Sequence, residues 1–369
     1  AEGRPNSFLH ISKPEIDLPE GTDPYDPAVY QKGAENLQRL IDGGVLIREQ
    51  KPCYYIYRLR WEGHIQTGLV FGASVAAYDI NRVRKHEFTR PMKEDDRVRQ
   101  ITALNAQTGP VLLTYRANDG VKAIIDEVTA AEPLYDLTAD DGIGHTLWVV
   151  DSDAQISELN GLFDAMEALY IADGHHRSAS ASRVEKEHPA ESAKQFLSVA
   201  FAHDEMKILD YNRVVRDLNG LTVDELLAQT AASFDLQMSA EAVRPANPTQ
   251  FGMYLNGQWY RLDIHPERVP ADDPVASLDV SLLHSNLIEP LLGISDPRRD
   301  ERVDFVGGMR GLAELEKRVN SGEMAVAFSL YPTTMEALMD VADANEVMPP
   351  KSTWFEPKLA DGLVSHVLD

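Results

Sequence analysis

The sequence predicts an α+β fold with two regions, a first core across residues 1–215 and a second α+β region across residues 216–369. Predicted strands and helices alternate irregularly along the chain, and antiparallel hairpins are mixed among them, which argues against a purely parallel sheet. A chain of 369 residues is also longer than one hydrophobic core usually serves. More than one structural unit is therefore expected.

The N-terminal part is predicted to contain an extended segment, a helix and a hairpin. Residues Arg4 to Pro27 are rich in proline and lack periodic apolar residues, which is typical of an extended segment. Residues Ala28 to Ile47 place apolar side chains at helical spacing. Tyr54 to Trp61 and Ile65 to Tyr78 are β-rich and flank a glycine turn, so they predict an antiparallel hairpin.

Residues Asn81 to Arg99 form the most charged stretch of the chain. Most of its cations are expected to form a solvated surface. His86 and Glu87 are the exception, because the surrounding cations would keep Glu87 ionised and could also hold a phosphate group. Both residues are therefore candidates for catalysis or ligand binding, with an ordinary surface pair as the alternative.

The stretch Ala168 to Arg177 organises the functional prediction. Tyr170–Ala172 is a short apolar run that predicts a buried strand, and Asp173–Gly174 is a sharp-turn dipeptide. Ser178 to Glu187 is predicted to be a helix that stops before a proline. The order strand, glycine turn, helix places an aspartate, two histidines and an arginine together in the turn.

Such a turn favours an anion. The free N–H groups at a helix start carry partial positive charge, and Gly174 lets the backbone approach a ligand closely. Arg177 offers a planar fork suited to phosphate, while His175 and His176 can donate hydrogen bonds or move protons. Asp173 beside a phosphate is a candidate magnesium ligand or base. The alternative is a polar helix start with Asp173 as a cap.

The remaining pattern predicts further strands, helices and one rigid loop. The C-terminal sequence Met348 to Thr353 contains two adjacent prolines that fix the backbone around Lys351, a candidate phosphate ligand. The alternative is a rigid connection into a strand at Trp354–Phe355. Asn256–Gly257 between two β-rich runs predicts a second hairpin. Strands are also predicted at 111–115, 133–137, 146–150, 195–202, 234–238, 252–255, 259–264, 302–306 and 325–330, and helices at 93–106, 121–130, 153–163, 222–232, 279–292, 312–319 and 333–343.

Composition narrows the classes of function. The net charge of −24 argues against a general nucleic-acid binder, which needs a basic surface. No run is long and apolar enough to span a membrane, and no signal peptide is visible, so no membrane partner is expected. The single cysteine, Cys53, excludes an internal disulfide framework and fits a reducing compartment, so a cytoplasmic protein is expected. Walker, nucleophile-elbow and Cys-x-x-Cys motifs do not occur in the sequence.

Two resemblances add to this reading. The run Asp173–Gly174–His175–His176–Arg177 after a strand resembles the phosphate loop of the ParB and sulfiredoxin superfamily, which includes free-serine kinases. Nearly the whole chain resembles the bacterial family catalogued as domain of unknown function ten-fifteen. The matching stretches are Asn6 to His10 with Pro14–Glu15, Lys85 to Glu87 with Thr89, Ile171 to Arg177, and Met348 to Thr353.

The resemblances imply a ParB-like nucleotide-binding core across residues 1–215 and a C-terminal loop, carrying Lys351, that returns to its site. They also imply that a further segment precedes Ala1, and they match Ser7, His10 and Glu15, for which a surface role and a ligand-facing role stay open. The implied cofactor is ATP or ADP with magnesium, and the implied partners are a nucleotide and a small-molecule substrate.

The function expected from residues and resemblance together is a nucleotide-dependent phosphotransferase acting on a small hydroxyl metabolite, with free serine as the first candidate. Gly174, His175, His176, Arg177 and Lys351 would hold phosphate. Asp173 would bind magnesium or assist deprotonation, and Glu87, with His86, would supply the base. The alternatives are a phosphatase or phosphoester hydrolase that uses His175 or His176, and a non-catalytic nucleotide-sensing protein.

Overall fold

The computed structural model describes residues 1–369, and its fold is α+β, as predicted. The helices are α1 (Leu9–Ser12), α2 (Pro27–Asp42), α3 (Val75–Asp79), α4 (Pro91–Leu104), α5 (Asp119–Thr129), α6 (Asp153–Ala165), α7 (His175–Glu187), α8 (Val223–Thr230), α9 (Asp279–Leu283), α10 (Glu289–Leu292), α11 (Gly311–Asn320) and α12 (Met335–Asp343). A π-helical turn, His284–Ile288, joins α9 to α10. No helix has both the length and the apolar character needed to cross a membrane.

The strands form two large sheets and one small one. They are β1 (Tyr54–Trp61), β2 (His64–Ser74), β3 (Val83–Arg84), β4 (Ala106–Gln107), β5 (Val111–Tyr115), β6 (Tyr135–Thr138), β7 (Gly144–Val150), β8 (Leu169–Asp173), β9 (Gln195–Ala202), β10 (Tyr211–Val215), β11 (Phe234–Ser239), β12 (Gln250–Leu255), β13 (Gln258–Ile264), β14 (Val303–Gly307), β15 (Val326–Leu330) and β16 (His366–Val367).

Contacts divide the chain into two compact units. The first unit comprises Ala1–Met206 together with Pro357–Asp369, and the second comprises Lys207–Glu356. The sequence-based division at residue 215 therefore differs from the contacts in two respects. Strand β10 belongs to the second unit, because it pairs with β14 and β15 there. The last residues of the chain belong to the first unit.

The first unit is built on an eight-stranded mixed sheet with the order β3-β8-β5-β9-β2-β1-β7-β6. The pairs β3/β8 and β5/β9 are parallel, and the others are antiparallel. The main core of this unit packs fully buried side chains of the central strands, such as Ile56, Leu113 and Ile171, against Val121 and Leu159 of helices α5 and α6. Strand β8, the second strand of this order, leads into the β8–α7 turn.

The C-terminal tail is attached to the first unit by a short ladder. Strand β16 pairs with β4 in register His366↔Gln107 and Val367↔Ala106. Leu368 N–H donates to the carbonyl oxygen of Asn105 at 2.9 Å, and Arg48 pairs with Asp369. These contacts hold residues 357–369 along the edge of the unit that carries the predicted turn.

The second unit is built on a six-stranded antiparallel sheet with the order β11-β13-β12-β15-β10-β14. The predicted Asn256–Gly257 hairpin joins β12 to β13, and both residues have positive φ (49° and 80°), as a tight hairpin turn requires. The first and last residues of the second unit lie side by side, since Ile208 bridges Phe355 and Leu209 N–H donates to the carbonyl oxygen of Trp354.

Three local predictions were wrong. The segment Arg4 to Pro27 is not extended throughout, because it contains helix α1 and a 3₁₀ turn at Pro14–Asp17 whose Ile11 and Pro14 are buried. The hairpin strand β2 ends at Ser74, where the serine hydroxyl caps helix α3. Phe355 makes an isolated bridge rather than a strand. In the first two cases a helix replaces the predicted extended backbone.

Candidate functional site

The predicted strand, glycine turn and helix are confirmed. Strand β8 ends at Asp173 and helix α7 begins at His175. Gly174 between them has φ of 98°, a left-handed conformation that glycine adopts without strain. A side chain there would also approach the Val111 backbone, since an added Cβ would lie 3.3 Å from its Cα. The turn therefore depends on glycine for two separate reasons.

Helix α7 lies close to its neighbours because its buried residues are small. Ser178, Ser180, Ala181 and Ser182 are all at least nine-tenths buried. The Ser180 hydroxyl oxygen lies 2.6 Å from the carbonyl oxygen of His176 and 3.1 Å from that of Glu94 in α4, so its single proton is shared between two acceptors and links the two helices. The close packing fixes the start of α7, whose first backbone N–H groups have no partner within the helix.

Parallel pairing explains why two distant stretches meet. Strand β3 pairs with β8 in register Val83↔Leu169 and Arg84↔Tyr170. The chain continues beyond Arg84 alongside the end of β8, which brings His86 and Glu87 to the β8–α7 turn. The backbone N–H of His86 donates to Nε2 of His175 at 3.4 Å, and Nδ1 of His175 lies 3.8 Å from Oε2 of Glu87.

A cavity of about 810 Å³ lies beside the turn, within the first unit. Its walls come from the N-terminal segment, helix α4, the loop before β5, the β8–α7 turn and the C-terminal tail. This volume lies in the range usual for small-molecule sites. Asp173, Gly174, His176 and Arg177 all line it, whereas His86, Glu87 and His175 do not. The turn therefore borders the cavity and also contacts a histidine–glutamate cluster.

The charges of the cavity wall are opposite to the charge of the chain. Five cations line it, against two carboxylates, Asp173 and Asp361. The chain as a whole has a net charge of −24. A local positive excess in a strongly acidic protein attracts anions to this position by focusing the field in a concave wall. The five cations are Lys13, Lys93, Arg97, Arg177 and Lys358.

Arg177 is held in place by two acceptors. Its Nη1 donates to the carbonyl oxygen of Pro110 at 2.8 Å, and its Nη2 lies 3.3 Å from Oδ1 of Asp361. Asp361 also accepts a hydrogen bond from the Ser12 hydroxyl. The arginine side chain remains about one-third exposed. Its guanidinium is therefore oriented at the cavity wall while part of its surface is still open to a ligand.

Asp173 is paired with a lysine of the tail. Its Oδ2 accepts from Nζ of Lys358 at 2.9 Å, and its Oδ1 accepts the Gly174 N–H at 2.8 Å. Burial alone would raise the pKa of this carboxyl, but Lys358, the Gly174 N–H and Arg177 lower it below its usual value. Asp173 is therefore ionised at neutral pH.

Two buried histidines lie behind the turn. The rings of His86 and His175 meet edge to face with centroids 4.5 Å apart, and both residues are less than 5% exposed. Burial lowers the pKa of His86 to about 4. Burial, together with the neighbouring His86, His176 and Lys85, holds the pKa of His175 well below its usual range. Both rings are therefore neutral at pH 7.

His176 differs from His175 because its ring faces the cavity. Its Nε2 accepts the backbone N–H of Arg90 at 3.0 Å, which leaves the proton on Nδ1. Burial lowers its pKa, and the nearby Arg90, Lys93 and Arg97 lower it further, while Glu94 opposes them. The ring is thus a neutral hydrogen-bond donor at the cavity wall.

The other predicted site residues lie in different surroundings. Lys351 belongs to the second unit, where its Nζ lies 5.6 Å from the Tyr211 ring centroid and its carbonyl oxygen accepts from Arg213. Its role as a phosphate ligand stays a prediction. Ser7 lines the cavity. His10 instead bonds Asp17 through Nδ1 at 2.8 Å.

The side chains do not form a protein-held metal centre. Across residues 1–369 there is no group of three or more His, Cys, Asp or Glu side chains that could hold a metal ion. Both oxygens of Asp173 are already engaged by Lys358 and Gly174. The role of Asp173 as a magnesium ligand therefore also stays a prediction.

Sequence reasoning missed five charged residues of the cavity wall, one of which is Lys13. Lys93 and Arg97 were interpreted as solvated surface, yet their i, i+4 spacing on α4 places both on the cavity face. This spacing is a signal that the sequence does contain. Lys358 and Asp361 were not singled out, because nothing local distinguishes the segment after Pro357 from a surface tail.

Solved structures with a similar chain trace have low sequence identity to this protein. A conserved hypothetical protein from Pyrococcus furiosus is 14% identical, with a TM-score of 0.38, over 80% of this chain and 93% of that one. Free serine kinase in complex with AMP is 13% identical, with a TM-score of 0.37, over 80% and 90%. SbnI from Staphylococcus aureus, truncated at its C-terminus, is 12% identical, with a TM-score of 0.41, over 79% and 85%.

No curated protein matches this sequence. Residues 1–281 match a family described as "Protein of unknown function". This match covers all of the site-bearing elements up to β9 and continues through much of the second unit. The predicted family is thereby confirmed: the chain belongs to the DUF1015 family.

Proposed function

We propose that this protein is a nucleotide-dependent phosphotransferase that acts on a small hydroxyl metabolite, with free serine as the first acceptor to test. One observation carries the proposal. A cavity of about 810 Å³ combines a helix start with five cations in a chain of net charge −24. Phosphoryl transfer needs mainly positioning and charge neutralisation, and both are functions that such a wall provides.

The phosphate groups would bind at the β8–α7 turn. The first N–H groups of α7, the Nδ1–H of His176 and the guanidinium of Arg177 are donors at one wall of the cavity. Lys93 and Arg97 also line the cavity from α4, where Lys93 adds a point charge and Arg97 adds a second guanidinium fork. Lys358, which holds Asp173 ionised, places a further cation next to the turn.

The acceptor hydroxyl would react beside Glu87, whose side chain is more than half exposed. The hydroxyl oxygen of the acceptor bonds the terminal phosphorus of the nucleotide, while the hydroxyl proton passes to the Glu87 carboxylate. The bond from that phosphorus to the bridging oxygen breaks, and the electron pair leaves on the shortened nucleotide. Glu87 then releases its proton to solvent. A base is needed only near the end of transfer, so an ordinary carboxylate is adequate.

A hydrolase that uses a histidine nucleophile fits the site less well. The His175 ring is buried, with its Nε2 engaged by the His86 N–H. The Nε2 of His176 is engaged by the Arg90 N–H, and its remaining nitrogen carries a proton. Neither ring presents a free lone pair to the cavity. A nucleotide-sensing protein without turnover remains the second candidate, because the same wall would serve it equally.

The test combines binding with turnover. Calorimetric titration with ATP and ADP should show binding to the wild type, and turnover with serine should release a phosphorylated product. Glu87→Gln is expected to retain nucleotide binding and lose turnover. Binding without product, across a panel of serine and other small hydroxyl compounds, would support the sensor. Absence of binding to both nucleotides would refute both candidates.

A further inference from the structure

We propose that His175 is a positioning residue whose Nδ1–H orients the Glu87 carboxylate. The inference deepens the proposed function and rests on it for the role of Glu87 as base. It assigns His175 a task different from the predicted one, which was to hold phosphate. The backbone N–H of His175 remains available to an anion at the helix start, whereas its side chain points into the cluster behind the turn.

The first step of the argument is the position of the ring. His175 is 4% exposed, whereas the adjacent His176 is half-buried. His176 lines the cavity and His175 does not. Adjacent residues at a helix start point about 100° apart around the axis. One of the two histidines therefore serves the cavity, and the other serves the cluster that contains Glu87.

The second step is the tautomer. The Nε2 of His175 accepts the backbone N–H of His86 at 3.4 Å, so this nitrogen carries the lone pair. The proton of the neutral ring must then lie on Nδ1, which is the atom that faces Oε2 of Glu87 at 3.8 Å. A backbone donor that engages the lone pair of one ring nitrogen fixes the tautomer of the ring, so the other nitrogen is the hydrogen-bond donor.

The third step is rigidity. The edge-to-face contact with the His86 ring, at 4.5 Å between centroids, restricts rotation of the His175 ring. The Glu87 side chain is 57% exposed, against 4% for His175, so the histidine is the more constrained of the two groups. A separation of 3.8 Å is longer than a hydrogen bond, but such contacts in ligand-free sites commonly shorten when substrate binds.

The fourth step is the protonation state of the His175 ring. The charged and titratable groups around His175 are Lys85, His86, His176 and Glu87, with Asp173 near His86. Burial and the first three of these groups keep the pKa of His175 well below its usual range. The ring therefore donates a hydrogen bond without releasing or accepting a proton. Glu87 remains the group that takes the substrate proton.

Two substitutions separate the two ring nitrogens. In His175→Asn the side-chain amide reaches the position of Nδ1, so a donor towards Glu87 is kept. In His175→Gln the amide reaches the position of Nε2, so that donor is lost. Loss of one hydrogen bond to a charged group should lower turnover roughly tenfold to a hundredfold in His175→Gln, and His175→Asn should recover part of it. Nucleotide affinity should stay within about twofold of wild type in both.

A measurement without turnover keeps the inference independent of the proposed reaction. The pKa of the Glu87 carboxyl, followed by carbon NMR, should rise in His175→Gln and rise less in His175→Asn, because the hydrogen bond favours the ionised form. In Glu87→Gln the nitrogen resonance of His175 Nδ1 should shift while that of Nε2 stays. A purely structural role would lower the melting temperature of the histidine variants without moving the Glu87 pKa.

The outcomes are distinct. An unchanged Glu87 pKa in both histidine variants, or a wild-type ring with its proton on Nε2, would overturn the inference. A large loss of nucleotide affinity in both variants would return His175 to the phosphate site. If the wild type transfers no phosphoryl group yet the Glu87 pKa responds as expected, the positioning role stands and the proposed function fails.

Discussion

Arg177 and Asp173, four residues apart, each have a partner of opposite charge from the C-terminal tail. Asp361 lies against the arginine, and Lys358 lies against the aspartate. These pairs are partly exposed, so each contributes little to stability, on the order of 1 kcal/mol or less. Their importance at the residue scale is geometric, because they orient the Arg177 and Asp173 side chains at the cavity wall.

Replacing Arg177 should weaken nucleotide binding. Arg177→Ala removes a charged donor from the wall, which should cost roughly 1.5–3 kcal/mol, or about tenfold to a hundredfold in affinity. Arg177→Lys should recover only part, since an ammonium group cannot reproduce the planar fork. Calorimetric titration with ATP and ADP measures the effect. Arg183→Ala is the matched control, because Arg183 lies on the same helix but pairs with Asp95. Equal affinities in the two alanine variants would remove Arg177 from the site.

His86 should make stability depend on pH. Its pKa is about 4 in the fold, against 6.5 for an ordinary histidine, so the unfolded chain binds the extra proton between these values. Neutral His86 contributes fully to the free energy of unfolding above pH 6.5. As the pH falls towards 4, roughly 3 kcal/mol of this free energy is lost. In His86→Gln the free energy of unfolding, measured with urea from pH 4 to pH 7, should fall less steeply. Parallel curves for variant and wild type would contradict this assignment.

The sequence alone identified the residues of the turn but not which of their side chains line the cavity. Asp173, Gly174, His176 and Arg177 were predicted as site residues, and all four line the cavity. His175 was grouped with them because the sequence does not show which of two adjacent histidine side chains points into a cavity. Which of two adjacent histidines faces a cavity depends on the angle at which α7 starts, and this angle is set by packing against α4 and β5.

At the scale of elements, the β8–α7 unit was predictable because its signals are local. An apolar run, a glycine at positive φ and a helix limited by Pro189 each follow from neighbouring residues. Helix α1 was missed because its signal is not local. Four residues, Leu9–Ser12, are too few for a helical period, and they are stabilised by Ile11 packing against Leu37 and Leu40 of α2.

The loop before β5 should be as important to the cavity as the turn itself. A Cβ added at Gly109 would lie 2.6 Å from Cζ of Arg177 and 2.8 Å from Oδ1 of Asp361. Gly109→Ala should therefore displace the guanidinium and weaken nucleotide binding roughly tenfold, which corresponds to about 1.4 kcal/mol. Calorimetric titration measures the change, with circular dichroism to check the fold.

Gly161 supplies the control for this substitution. It lies inside helix α6, and a Cβ there would meet no atom within 4 Å. Gly161→Ala should stabilise the helix by roughly 0.5–1 kcal/mol and leave nucleotide affinity unchanged. If Gly109→Ala bound nucleotide as tightly as Gly161→Ala, Arg177 could not be a required phosphate ligand in its present position.

At the scale of the whole molecule, the second unit is inserted between two parts of the first. Residues 207–356 enter and leave through adjacent backbone, with Ile208 bridged to Phe355. A chain in which Met206 is joined to Pro357 by a short Gly-Ser linker should therefore fold as the first unit. It should retain the cavity, because every residue that lines it belongs to that unit.

This excision also tests Lys351. If the first unit is sufficient, the excised chain should bind ATP within about tenfold of the full chain. If Lys351 contributes, the excised chain should lose affinity, and Lys351→Ala in the full chain should reproduce the loss. Comparison of the two titrations distinguishes these outcomes, and a melting curve confirms that the excised chain is folded. Failure to fold would show that the first unit requires the insert.

Because of this insertion, the ribosome synthesises the parts of the cavity wall at different times. The ribosome makes Asp173 and Arg177 first, then the whole of residues 207–356, and only afterwards Lys358 and Asp361. At ordinary rates of translation this interval is on the order of ten seconds. During it, the nascent first unit has a helix start and an arginine that lack their later neighbours, while β4 lacks β16. A ribosome-bound chain stalled after Glu356 would thus be folded in most of its first unit and still lack one wall of its cavity.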